Sequence, residues 1–106
     1  MDNKQNLIDG LKAFRKSLET RVRVEKFILF GSQASGAPKG DSDIDLLIVS
    51  RDFAGKKFRY RPLGFHEFWS LDYPVDFLCY TTDEFEKMRN QATIVREAVE
   101  TGIEIN

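Results

Sequence analysis

The sequence predicts an α/β (α+β) domain: one sheet of about four strands with helices packed against it. Three observations carry this reading. Apolar stripes at helical spacing alternate along the chain with short β-branched and aromatic runs. One run, Leu46-Leu47-Ile48-Val49, does not alternate, and so reads as a central strand buried on both faces. With 106 residues and 42% hydrophobic side chains, the chain has material for one core, and residues 1–106 read as one domain.

Leu7, Leu11, Phe14 and Leu18, widened by Ile8, predict a helix over residues 3–19 with Asp2 or Asn3 as its cap. Residues 24–30 predict a strand that Gly31 ends. Residues 31–36 open a short helix, and Pro38 and Gly40 make residues 37–42 a loop. Residues 44–50 form the second strand. Pro62 and Gly64 interrupt the next stretch, so a broken helix is expected near residues 56–70. Residues 74–80 read as the third strand. Thr82 is the expected N-cap of the next helix, with Asp83 and Glu84 in its first turn. A last helix covers residues 91–101, Gly102 closes it, and Ile103-Glu104-Ile105 is an edge strand.

Composition excludes several classes. Sixteen Lys and Arg against 17 Asp and Glu give a net charge of −1, which argues against a general nucleic-acid binder. The single cysteine, Cys79, cannot form an internal disulfide and fits a reducing compartment. No apolar run approaches the roughly 20 residues that span a bilayer. The first ten residues carry Asp2 and Asp9 and no apolar stretch of signal-peptide type. The expectation is a cytoplasmic protein with no membrane association.

The chemistry concentrates in Gly31-Ser32-Gln33-Ala34-Ser35-Gly36 and the following Ser42-Asp43-Ile44-Asp45-Leu46. Small residues let backbone amides approach a phosphate. Asp43 and Asp45 are one residue apart on an extended segment, so both can face one divalent cation. Together they suggest a site for a metal-bound nucleoside triphosphate. Two familiar motifs fail here. A P-loop needs Lys and Ser or Thr where Ala37-Pro38 stands. An EF-hand started by Asp41, Asp43 and Asp45 would place its turn glycine on Leu46 and its bidentate glutamate on Asp52. The plainer reading is a solvated acidic loop with Asp45 capping locally. Asp45, however, adjoins a buried strand, where an uncompensated carboxylate is expensive.

Asp76 is a third carboxylate, inside the apolar run Val75–Tyr80, where a buried strand seldom carries a lone Asp without a partner. Should its strand lie beside that of Asp45, the carboxylates converge at one sheet end, a set suited to two Mg²⁺ ions and in-line nucleotidyl transfer. The alternative is a structural salt bridge from Asp76 to Arg61 or Arg23.

These residues resemble the signature of the DNA polymerase β superfamily of nucleotidyltransferases. Gly31-Ser32, ten intervening residues and Asp43-Ile44-Asp45 match its core. Ala34, Gly36, Ser42 and Leu46 extend the match, and Asp76 in Val75-Asp76-Phe77 matches the third carboxylate. The small size and Tyr80-Thr81-x-x-Glu84-Phe85 look like the minimal nucleotidyltransferase branch, over about residues 5–105. The resemblance implies the nucleotidyltransferase fold with a mixed sheet. It implies that Asp43, Asp45 and Asp76 are catalytic and hold two Mg²⁺ ions, with Asp76 assisting deprotonation of the acceptor. It implies that Gly31 and Ser32 hold the β- and γ-phosphates of ATP, helped by a helix N-terminus. Ser32 also reads as an ordinary helix cap, and both roles are compatible.

The same branch implies an acceptor outside this chain, on a partner or a second copy. Its members pair with small helical proteins of the HEPN type in toxin–antitoxin systems, where the nucleotidyltransferase, as antitoxin, adenylylates the toxin on tyrosine. Two alternatives stand beside this reading: an antitoxin that neutralises by contact alone, and an enzyme that modifies a small molecule such as an aminoglycoside. Of the remaining residues, Lys56, Lys57, Arg59 and Arg61 form a basic cluster that reads as a solvated helix face or a contact for phosphates or an acidic partner. Phe65, Phe68 and Trp69 read mostly as core around His66, a surface or core-edge histidine; Tyr60 and Tyr73 read as exposed tyrosines or as covers of the core edge, and Cys79 as a small core residue.

Overall fold

The computed structural model describes residues 3–31, 44–91 and 93–106. Helix α1 (Asn3–Leu18) buries Leu7, Leu11, Phe14 and Leu18, the stripe that predicts it. The expected cap at Asp2 or Asn3 lies outside the described side chains. Strand β1 (Lys26–Phe30) follows, then β2 (Ile44–Val49) antiparallel to it. Strand β3 (Val75–Tyr80) runs parallel to β2 on its other side. Helices α2 (Thr82–Met88) and α3 (Ile94–Thr101) lead to the short β4 (Ile103–Glu104), which pairs antiparallel with β1. The result is the expected four-stranded mixed sheet, in the order β3-β2-β1-β4. The helix and loop expected over residues 31–36 and 37–42 lie, beyond Gly31, outside the described residues.

The sheet is covered on both faces. Phe27, Leu29, Ile44, Leu46 and Ile48 pack with α1, Phe53 and Phe65 on one face. Ile28, Phe30, Leu47 and Val49 pack with Phe85 of α2 and with Val95 and Ala98 of α3 on the other. Strand side chains alternate between faces, so the unbroken apolar run of β2 feeds both layers. Aromatic rings join the first layer: Phe14 meets Trp69 edge-on at 5.1 Å and stacks on Phe77 at 5.5 Å. No helix among the described residues is long and apolar enough to cross a membrane.

The crossover from β2 to β3 differs from the broken helix expected near residues 56–70. It is built from 3-10 turns at Arg51–Phe53, Phe58–Tyr60 and Phe65–Phe68. Pro62 has no N–H for a helical ladder, and Gly64 adopts φ +87°, which turns the chain out of helical geometry. The backbone closes three-residue bonds instead, among them Tyr60 N–H to Lys57 O at 3.0 Å and Phe65 N–H to Pro62 O at 3.0 Å.

The N-cap of α2 is Thr81 rather than Thr82. Thr81 Oγ1 accepts from Glu84 N–H at 3.1 Å, and Glu84 Oε1 accepts from Thr81 N–H at 2.8 Å. That reciprocal box needs an acid three residues after the cap, and only Thr81 has a glutamate there. Thr82 Oγ1 donates to Glu25 Oε2 at 2.6 Å and ties α2 to the segment before β1. The last helix begins at Ile94 because Thr93 caps it, accepting from Arg96 N–H at 3.3 Å.

Arg61 departs most from its sequence reading. It is buried, not part of a solvated helix face. Its guanidinium donates to both Glu84 oxygens at 2.6 and 3.1 Å, to Cys79 O at 3.0 Å and to Lys56 O at 3.0 Å. One side chain thereby joins the crossover, the outer edge of β3 and the start of α2. Two further donors serve strand and chain ends: Arg15 donates to Ile105 O and Val24 O, and Trp69 Nε1 donates to Tyr73 O.

Hydrogen bonds from Arg61 hold the Glu84 carboxyl below the usual glutamate range, against a smaller opposing effect of burial. The Thr82 hydroxyl, aided by Arg51, does the same for Glu25. A carboxyl with a lowered folded-state pKa stabilises fully above its unfolded value, about 4.3, and loses that contribution as pH falls through the folded one. Urea denaturation across this acidic window is expected to show stability falling with pH, with a shallower fall in Glu84→Gln.

Candidate functional site

The candidate site lies at the end of the sheet where β1 stops and β2 and β3 start. Phe30 is the register partner of Asp45, and Asp45 is the register partner of Asp76. Register partners on adjacent strands share a face. Alternation from Leu47, Val49 and Tyr80 puts this row on the sheet face covered by α2 and α3. Adjacent strands lie about 4.8 Å apart, so two carboxylates stand side by side on one rim.

Gly31 closes this row. It adopts φ +84°, and a Cβ built on it would lie 2.5 Å from Asp45 Oδ2. Both facts demand glycine: the left-handed backbone disfavours a side chain, and the Asp45 carboxylate occupies the space one would need. The backbone after β1 therefore passes directly against a carboxylate oxygen of β2.

The sequence expectation for Asp76 holds in its placement and fails in its burial. β3 does lie beside β2, and Asp76 does stand next to Asp45. Asp76 is exposed, however, because it occupies the second position of an edge strand, before β3 enters the core. Its carboxylate stays hydrated, so burial cost does not explain its presence. The salt-bridge alternative finds no support in the named arginines. Arg61 is committed to Glu84. Arg23 sits at the opposite end of the sheet, where its N–H donates to Asp52 Oδ2 at 2.8 Å. Asp45 is partly buried.

Asp43 and Ser32, the other two expected site residues, lie outside the described residues. Among the described residues no group of three His, Cys, Asp or Glu side chains is placed to hold a metal ion. Asp45 and Asp76 supply hard oxygen donors on one rim, a donor set that suits Mg²⁺ with water and phosphate completing its shell. The remaining sequence readings fall in place around the core. Cys79 is buried, and burial pushes its thiol up to about 12. His66 is exposed at the core edge, its ring 5.2 Å from that of Phe77, as a surface or core-edge histidine should be, and Tyr73 is half-buried against the core while Tyr60 is exposed. Sequence reasoning missed the clamp made by Arg61, although Thr81-x-x-Glu84 was a legible capping box that fixes where Glu84 must point.

Two variants test this geometry in the metal-free protein. Gly31→Ala should destabilise by at least about 1 to 2 kcal/mol from its backbone angle alone. Combining it with Asp45→Ala, which removes the blocking oxygen, should show a coupling of about 1 kcal/mol in a double-mutant cycle followed by urea denaturation. Asp76→Asn should leave the thermal midpoint unchanged or slightly raised, since the exposed carboxylate only gains by losing its repulsion with Asp45.

Comparison with known proteins agrees with this architecture. The model of a family described as nucleotidyltransferase domain matches residues 11–104. A protein of Methanocaldococcus jannaschii named "Putative protein adenylyltransferase" is 30% identical over 71 residues, which span 65% of this chain and 72% of that protein. A crystal structure titled as a "putative nucleotidyltransferase" from Sulfolobus solfataricus superposes with a TM-score of 0.68 at 18% identity, over 95% of this chain and 80% of that one, and shares the fold. With nearly the whole chain inside the family match, and its paired carboxylates beside a glycine turn on a mixed sheet, this protein belongs to the nucleotidyltransferase domain family.

Proposed function

We propose that this chain transfers a nucleoside monophosphate, AMP from ATP, to a hydroxyl on a partner protein in a metal-dependent reaction. The observation that carries the proposal is the row in which Asp45 and Asp76 stand in register beside the backbone of Gly31. Family membership supports nucleotidyl transfer, and the name of the Methanocaldococcus jannaschii relative favours a protein acceptor.

In this reading Asp43, Asp45 and Asp76 hold two Mg²⁺ ions, which when bound neutralise the triphosphate and polarise its α-phosphate. The amide of Gly31 and the hydroxyl of Ser32 hold the β- and γ-phosphates, which leave as pyrophosphate. The exposed Asp76 carboxylate is open to an incoming acceptor and takes the proton of its hydroxyl. Partly buried, Asp45 is fixed by its strand and by the close backbone of Gly31. Positioning and charge neutralisation then do the catalysis, with no covalent nucleophile. Cys79 is no candidate for one, buried as it is and protonated at neutral pH. The partner is a small helical protein of the HEPN type, with this chain as its antitoxin, acting in the cytoplasm.

The test is mass spectrometry of a helical protein encoded beside this chain, after incubation with ATP and Mg²⁺. An added AMP is expected, lost with Asp43→Asn or Asp45→Asn while the complex still forms. A chain that binds and silences the partner with no mass change under any common nucleoside triphosphate would be a contact antitoxin. AMP found only on an added aminoglycoside would make it a small-molecule enzyme.

A further inference from the structure

A second concave surface lies at the other end of the sheet. The crossover turns and the segment after α1 enclose a cleft of about 640 Å³, lined among others by Arg21, Lys56, Lys57, Tyr60, Leu63 and Phe65. Its floor residues Val22 and Phe65 belong to the core layer that contains α1, not to the layer beneath the carboxylate row. Asp52, also in its wall, lies beyond the C-terminal end of β2, and Asp45 is near the start of that strand. The run from Asp45 to Val49 alone spans about 13 Å. The cleft and the carboxylate row therefore occupy different ends and different faces of the sheet.

The charges of the cleft are unequally satisfied. Arg61 is neutralised by Glu84, and Arg21 pairs with Glu67 at 3.2 Å. Asp52 is occupied by the backbone N–H of Arg23 and is the one acidic side chain among the described residues of the lining. Lys56 and Lys57 have no ion-pair partner among the described residues, and both are exposed. Arg59, next to the cleft but not in its lining, lies over the Tyr60 ring at 4.8 Å, again with no ion-pair partner among the described residues. Two lining residues hold large apolar surface in water: Leu63 is 69% exposed and Tyr60 47%. The crossover thus presents free cations and exposed apolar groups together.

We propose that this cleft docks an acidic segment of a partner protein that carries an apolar anchor residue. The lysines meet its carboxylates, and the exposed Tyr60 and Leu63 meet the anchor. Nucleic acid fits less well, because the chain as a whole has a net charge of −1. The binding chemistry is independent of the transfer reaction; only the identification of this partner with the acceptor rests on the proposed function. A remote dock of this kind would hold the acceptor while its hydroxyl reaches the carboxylate row.

The test uses the full chain and a displayed library of short random peptides. Enriched sequences should combine several Asp or Glu with a Leu, Phe or Trp. A fluorescein-labelled peptide from that set, followed by anisotropy, should bind at least about tenfold more weakly to Lys56→Glu/Lys57→Glu and weaken with added salt. Both lysines are exposed, and the Lys56 carbonyl that Arg61 uses is backbone, so the variant should keep the parent thermal midpoint. Binding should move amide resonances around Tyr60 and Leu63, and Asp45→Asn should leave affinity unchanged. No acidic enrichment, or affinity unaffected by the double substitution, overturns the proposal. A labelled oligouridylate that binds more tightly than the peptide and is lost in the same variant makes the cleft a nucleic-acid surface instead. Peptide binding without nucleotidyl transfer leaves this inference standing and removes the transfer reading; transfer without peptide binding does the reverse.

Discussion

Ile44, Leu46, Leu47, Ile48 and Val49 are sealed from water on both sides of the sheet. A strand in that position needs backbone partners along both edges and an apolar layer above and below. β1 and β3 supply the first; α1 with the crossover, and α2 with α3, supply the second. The register of β2 is then fixed. A slip of one residue would exchange its two apolar sets and drive Asp45 toward the α1 layer. The pairing that keeps β2 dry is also the pairing that sets Asp45 beside Asp76, so the candidate site is a by-product of the most strongly determined element in the chain.

The elements were legible where burial repeats with a period. Leu7, Leu11, Phe14 and Leu18 mark α1, and the unbroken run of β2 marks a strand with no wet face. The crossover was not legible, because its aromatic residues serve a core while Pro62 and Gly64 forbid the helix that would present them regularly. The cap was misplaced by one residue because Thr81 and Thr82 are both competent, and only the position of Glu84 separates them. At the site, Gly31 and Asp45 could be linked from their place beside apolar runs. The exposure of Asp76 could not, since composition gives Val75–Tyr80 as one apolar run without saying where along it the core begins.

The basic cluster after β2 shows how little residue type says about fate. Lys56 and Lys57 stay in water, and Arg61, a few positions on, is buried among carbonyl and carboxylate oxygens. Guanidinium can satisfy several acceptors at once in a plane, which an ammonium cannot. The arginine goes inside because its oxygens come from three separate segments, none of them near it in sequence except Lys56. Such a contact is invisible until the sheet has formed, and it leaves the lysines as the cluster's free charge.

The donors along the outer margin of β3 bear on how copies of this chain behave in a crowded solution. An outer strand offers its unpaired carbonyls to any extended segment that drifts past, and sheets left open in this way grow by adding strangers. Here Cys79 O is already held by Arg61, and Tyr73 O, just before the strand, by Trp69. On the other margin β4 is only two residues long. Long side chains thus take the part that proline or a covering helix plays elsewhere. Losing Arg61 would uncover a place for self-assembly as well as loosen the fold.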